Sequence, residues 1–294
     1  MKFIKVLFIC LVSLWLVLYS HQLSAGSQKS LRIVSLAPAN TEILFALGLD
    51  KEIVGVSSYC NYPPQALTKD KIGDFSSPNI EKIISLKPDI IFSAGLEQEQ
   101  AAKKLKDLGQ QVVIIDPSNF AQLFQSIQQI GQLTSRQSQA LQLKNMMQGR
   151  ISAVRQRVSS FNYHPRLFME ISFNPLMTAS RGSFLDEMIT MAGGVNIAGD
   201  LPRPYCRVSE ELVIQEKPDI IVVTDYTKKI KIIKRAGWEN IPAVKNNRVY
   251  DDINPDVLIR PGPRLAEGLE ELVKRMYGNV TGASSQGPGS RDKK

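Results

Sequence analysis

Apolar and polar positions change rhythm along this chain, and each change marks an element. Arg32-Ile-Val-Ser-Leu36 is a short β-biased run, and Pro38-Ala-Asn40 turns the chain. Thr41 then leads into a helical stretch, Glu42–Leu47, which Gly48 stops. Ile53–Val56 is a second strand that ends in the loop Ser57–Pro64. Asn79 caps a helix over Ile80–Leu86, Pro88 breaks it, and Asp89–Ser93 returns to β character. A helix near Gln98–Leu108 and a strand over Val112–Ile115 follow. Strands alternating with helices predict a parallel sheet covered on both faces.

The period then shifts. Ala121 to Phe161 has no strand signal, and from Ser138 onward apolar residues stand at Met147, Ile151, Val154, Val158 and Phe161. Steps of 4, 3, 4 and 3 trace one stripe of a single helix of about 25 residues, long for a globular protein. His164-Pro165 ends it. A second alternating region begins with a strand over Arg166–Ser172 and a helix opened by Ser183 and stopped by Gly193-Gly194. Ser209 caps Glu210–Glu216, Pro218 breaks that helix, and Asp219–Thr224 is a strand. A helix near Ile230–Ala236, a strand over Arg248–Asp251 and a terminal helix over Arg264–Met276 complete it. The pattern predicts a lobe over 27–133, an interlobe helix over 134–163 and a second lobe over 164–278. One continuous helix between lobes resists wide rotation, so small opening motions are expected.

The two regions repeat one another. Residues 81–91 read EKIISLKPDII and residues 211–221 read ELVIQEKPDII, with seven of eleven positions identical. Such a duplication points to a cleft between related halves. Glu81 and Glu211 fall at the same place in a first helical turn, where an acid complements the helix dipole by about 0.3–1 kcal/mol. Either glutamate alone is explained by that effect; the pair suggests something that docks across both lobes.

The termini stand apart. Lys2 and Lys5 precede an apolar run from Val6 to Tyr19, followed by Ser24, Ala25 and Gly26. That is the layout of a secretory signal peptide, placed over 1–25, and the run is shorter than the about 20 residues a membrane span wants. Cys10 lies inside the apolar run and not after a small-residue cleavage site, which argues against a lipid anchor. Asn279–Lys294 is Gly, Ser and charge, and reads as a disordered tail. The net charge of +8 loses two with Lys2 and Lys5 and two more with Arg291–Lys294, leaving +4 and no nucleic-acid footprint. Cys60 and Cys206 remain, one in each half; two separate thiols are favoured over a bond that would tie the cleft shut.

Ser35-Leu-Ala-Pro-Ala-Asn-Thr-Glu42 and Gly55-Val-Ser-Ser-Tyr-Cys-Asn-Tyr-Pro-Pro64 closely resemble the cobalamin-binding periplasmic receptors of vitamin-importing ABC transporters. More broadly the chain looks like the helical-backbone metal-receptor group, the class III solute-binding proteins, which includes haem and siderophore receptors. The likeness runs from Arg32 to Met276 and takes in Gly193-Gly-Val-Asn-Ile197, Val208-Ser-Glu-Glu211 and Arg260-Pro-Gly-Pro-Arg264. It implies two Rossmann-like α/β lobes, each with a central mostly parallel sheet, joined by one long rigid helix. It also implies a periplasmic monomer that carries cobalamin or a related corrinoid, has no cofactor of its own, and delivers its cargo to a permease.

The resemblance assigns roles residue by residue. Tyr59 matches a ligand-contacting tyrosine, and an aromatic beyond a strand's carboxyl end is placed to stack on a large flat ligand. Phe75 and Tyr205 fall where the family has cleft tryptophans. Asp256, Val257, Leu258, Ile259 and Arg260 match the second-lobe stretch that meets the ligand, although Arg260 serves equally well as an anchor of the Pro-Gly-Pro turn. Arg264 reads as a helix-start residue near the cleft rim. Glu81 and Glu211 match the acids that dock onto permease arginines.

Enzyme chemistry finds little support. Beyond the leader the only histidine is His164, which reads as structural at a helix end and cannot build a multi-His metal site. No Gly-x-Ser-x-Gly elbow, Walker A loop or GxGxxG turn occurs. Haem or an iron–siderophore is the rival ligand, with Tyr59 or Tyr205 as the contact. An exported enzyme or interaction protein on the same frame is the rival class.

Overall fold

The structure, a computed structural model, describes residues 30–225, 227 and 229–278. The expected leader and tail lie outside the described residues. The first lobe holds β1 (Ile33–Ser35), α1 (Pro38–Ala46), β2 (Ile53–Val56), α2 (Ile80–Ser85), β3 (Ile90–Ser93), α3 (Glu99–Asp107) and β4 (Val112–Ile114). Its sheet is parallel throughout in the order β2-β1-β3-β4. Strand order reverses direction about β1, so the crevice beyond the carboxyl ends of β1 and β3 is where such a sheet collects ligands.

Two helices follow, α4 (Phe120–Leu133) and α5 (Gln137–Val158). The second lobe holds β5 (Arg166–Ser172), β6 (Met177–Ala179), α6 (Phe184–Met191), β7 (Val195–Asn196), β8 (Tyr205–Arg207), α7 (Glu210–Glu216), β9 (Ile220–Val223), α8 (Lys229–Ile232), α9 (Pro242–Lys245), β10 (Val249–Tyr250), α10 (Asp256–Ile259) and α11 (Leu265–Tyr277). Here β10, β9, β5 and β7 run parallel, and β6 joins antiparallel between β5 and β8. The sheet is therefore mixed at one edge.

The repeated Lys-Pro-Asp has one structural cause in both lobes. Lys87 and Lys217 both take φ of 46°, the left-handed turn that ends α2 and α7. The next-but-one residue then faces the lobe's first strand. Asp89 accepts the backbone N–H of Arg32 at 2.9 Å, and Asp219 that of Arg166 at 2.8 Å. The Arg32 Nε donates back to the Leu86 carbonyl at 2.9 Å, and the Arg166 Nε to the Glu216 carbonyl at 3.0 Å. Each lobe thus pins the end of the helix that begins beside Glu81 or Glu211 to its own sheet.

The long interlobe helix expected from Ser138 onward is α5, and a separate helix, α4, precedes it. Asn119 caps α4 through the Gln122 N–H at 2.9 Å, Ser135 turns left-handed at φ 57°, and α5 spans 22 residues. Phe161 lies past its end and packs on Tyr277 at 4.5 Å instead of continuing the stripe. The helices approach closely because Gly131 has no Cβ to strike Ala140. The α5 stripe (Met147, Ile151, Val154) belongs to one continuous core that also takes in Leu44 of α1 and Leu269 of α11. Arg150 of α5 grips Glu270 of α11 through two hydrogen bonds of 2.8 and 2.7 Å. A joint packed this way resists hinge motion.

Candidate functional site

The first-lobe rim is built from the loops beyond β1, β2 and β3. Ser57 donates its N–H to the Ser35 carbonyl at 3.1 Å, and Ser58 to the Gly73 carbonyl at 2.9 Å. These bonds hold the β2 loop up, with Tyr59 at 58% exposure on its tip. Phe75 lies half-buried in the neighbouring loop. Gln98, at 1% exposure, ties the rim together. Its Nε2 donates to the Leu36 and Phe75 carbonyls at 2.8 Å each, and its Oε1 accepts from Ser93 Oγ at 3.0 Å and the Ala94 N–H at 2.8 Å. One buried amide therefore sets three loops at once, a role no motif announces in the sequence.

The second-lobe rim carries Tyr205 on β8, paired in register with Ala179 of β6. Tyr205 is 47% exposed beside the start of α6, where the burial of part of its ring pushes its phenol up, offset in part by the Phe184 backbone N–H. The hydroxyl stays a neutral donor. Phe184 itself meets Phe120 edge-on at 5.6 Å, and the Phe120 N–H donates to Glu187 at 2.9 Å. The two lobes close together there, beneath the aromatics.

The run Asp256–Arg260 is divided by its helical turn. Val257 and Leu258 are 3% and 0% exposed and pack into the core. Neither side chain offers a surface to a ligand, which corrects the expectation of five contacts in a row. α10 sits tight against α11 because any Cβ on Gly268 would strike the Val257 carbonyl. Ile259 remains exposed at 49%.

Arg260 faces the other lobe. It donates to Asn61 Oδ1 at 2.6 Å and Glu42 Oε1 at 3.2 Å, and pairs with Asp256 at 2.9 Å. Arg264 forks the same Glu42 at 2.9 and 2.6 Å and lies 4.0 Å over the Tyr62 ring. Asn61 completes the circuit to Asp256 at 3.3 Å. The Glu42 side chain is 1% exposed. A buried acid of the first lobe thus holds two arginines of the second, next to the Tyr59 loop. Arg260 thus anchors one lobe to the other through Glu42 and Asn61, and its side chain does not bond the Pro-Gly-Pro turn that follows it. A cavity of about 530 Å³ opens beside this cluster, lined by Phe45, Tyr62, Leu143, Met146 and Arg264.

Glu81 and Glu211 are exposed in the first turns of α2 and α7. Asn79 and Ser209 cap those helices through the Lys82 and Leu212 N–H groups at 2.9 and 3.2 Å. The Glu211 carboxyl is held below its ordinary range by its own backbone N–H and the Ser209 hydroxyl. Behind α7, Arg235 forks the fully buried Glu170 at 2.6 and 3.1 Å and stacks 4.3 Å from Phe173. Burial pushes Glu170 up to about 7 against the pull of Arg235.

His164 bonds the Gly193 carbonyl at 2.8 Å through Nδ1. Cys60 is buried against Thr41, its thiol pushed up by burial, and is not bonded to Cys206. Among the described residues no cluster of three His, Cys, Asp or Glu is placed to hold a metal, and no helix is long and apolar enough to cross a membrane.

Residues 33–255 match the family model of the periplasmic binding proteins. An uncharacterised ABC transporter substrate-binding lipoprotein of Bacillus subtilis is 36% identical, over 84% of this chain and 80% of that one. The vitamin B12-binding protein of Vibrio cholerae is 32% identical, over 82% and 87%. Among solved structures, a possible iron-binding periplasmic solute-binding protein of Staphylococcus epidermidis has a TM-score of 0.76 at 34% identity, covering 84% of this chain and 98% of that one. The haem-binding protein RhuT of Roseiflexus has a TM-score of 0.75 at 26% identity, covering 84% and 98%.

Proposed function

We propose that this chain, which belongs to the periplasmic binding protein family, captures a corrinoid between its lobes and delivers it to an ABC importer. The supporting observation is a set of rings on both lobes: Tyr59 and Phe75 in the loops beyond the carboxyl ends of the first sheet, and Tyr205 on β8 of the second. Rings so placed suit a broad macrocycle. The vitamin B12-binding relative points the same way. Cobalt arrives inside the cargo.

Haem is the second reading, favoured by the likeness to RhuT. Titration of the leader-free chain with cyanocobalamin, haemin and a ferric siderophore separates these. Saturable binding of cyanocobalamin is expected; tight haemin binding with no corrin response would overturn the corrinoid reading.

Glu81 and Glu211 form the docking pair, one on each lobe, matched to a two-fold permease. Like-placed charges steer encounter and set orientation. Reversal of both, Glu81→Lys with Glu211→Lys, is expected to leave ligand affinity unchanged and abolish uptake.

A further inference from the structure

We infer that Arg207 receives an anionic group carried by the ligand, an inference that rests on the cleft reading above. Arg207 and Tyr205 lie two positions apart on β8 and therefore on the same face, about 6–7 Å apart along the strand. That face is fixed by Tyr205, which sits by the Phe184 backbone N–H where α6 meets the other lobe through Phe120. Arg207 pairs with Met177 of β6, at the level where β5 reaches its carboxyl end. It therefore lies nearer that end of β5 than Tyr205, which pairs with Ala179.

Arg203, in the loop before β8, is likewise exposed but lies off the strand that carries Tyr205; the remaining arginines of this region are committed. Arg260 and Arg264 are held by Glu42, Arg235 by Glu170, and Arg181 by Asp200 at 2.8 Å. Arg207 is exposed, and among the described residues its guanidinium forms no ion pair and no hydrogen bond. A macrocycle laid on Tyr205 covers that guanidinium. Taking a cation out of water without a partner is strongly unfavourable, so a tight ligand must bring the negative charge. A planar guanidinium accommodates a carboxylate or phosphate through two parallel hydrogen bonds. The phosphodiester of a corrinoid's nucleotide loop and the propionate of a porphyrin both meet that requirement.

The test pairs each macrocycle with its charge-stripped analogue: cyanocobalamin with cobinamide, which lacks the phosphodiester, and haemin with its dimethyl ester. Wild type, Arg207→Gln and Arg207→Lys are titrated as leader-free full chains at two salt concentrations. Arg207→Gln is expected to weaken the anionic member of the bound pair about tenfold and to change the stripped member less than twofold. Arg207→Lys restores part of the loss, and the difference shrinks at high salt. Equal loss for both members, or loss for neither, overturns the inference. If corrinoids fail and porphyrins bind, the corrinoid reading falls while the porphyrin pair still tests Arg207. If neither class binds, both fall. Arg207 is exposed, so unchanged thermal unfolding of the variants excludes a folding defect.

Discussion

Replacing Glu42 by Gln keeps the shape of the side chain and removes the charge on which the two lobes converge. Losing one partner of a buried ion group costs about 3–5 kcal/mol, chiefly because the remaining charge is stranded. Two features soften that here. Asp256 stays 2.9 Å from Arg260 and 3.9 Å from Arg264, and the two arginines keep 14% and 12% exposure. A cost of about 2–3 kcal/mol is expected. With a urea slope of about 3 kcal/mol/M, that lowers the unfolding midpoint by about 0.7–1 M. Far-UV circular dichroism across a urea series reads it directly. Glu81→Gln is the control: an exposed acid in a first turn costs less than about 1 kcal/mol. The double variant Glu42→Gln with Arg264→Gln should cost less than the sum of its parts, because the stranded cation is gone. A Glu42→Gln midpoint within about 0.2 M of wild type would refute the view that this cluster holds the lobes together.

Gln98→Leu removes the amide that bonds Leu36, Phe75, Ser93 and Ala94, and each orphaned group costs about 1–3 kcal/mol; lowered thermal stability and weaker ligand binding are expected, whereas unchanged affinity would show that the Phe75 loop is set otherwise. Glu170 has its folded-state pKa raised from 4.5 to about 7, so its contribution to stability is present below about 4.5 and lost as pH rises through about 7. Urea midpoints at pH 5 and pH 7.5 should therefore fall for wild type relative to Glu170→Gln; parallel midpoints would remove Glu170 as the source.

Much of the frame was legible because its signals are local. Asn79, Ser183 and Ser209 are caps as read, since a side-chain oxygen three residues before a free N–H needs no tertiary help. The Lys-Pro-Asp repeat likewise carries its geometry in three residues. β6, β7 and β8 were not legible. Each is two or three residues long and exists only through pairing with β5 or with one another, so no alternation of its own announces it. α4 left a signal, Phe120, Leu123, Ile127 and Ile130 at steps of 3, 4 and 3, which its continuity with α5 masked. At the site, the place of Tyr59 followed from its loop, whereas Phe75 and Tyr205 came only from the resemblance, and the partners of Arg260 came from neither. Glu42 lies 218 residues away, and only the folded chain brings them together. Val257 and Leu258 turned inward while Ile259 stayed exposed, because a single turn of α10 spreads its side chains around the axis and only part of that turn faces the core.

The claim that a macrocycle is held between the two aromatic rims is tested most directly by a crystal structure of the protein grown with cyanocobalamin. The account predicts the corrin ring between Tyr59 and Tyr205, with Phe75 at its edge and the Glu42 cluster intact. A corrin bound elsewhere, or touching one lobe only, would contradict it.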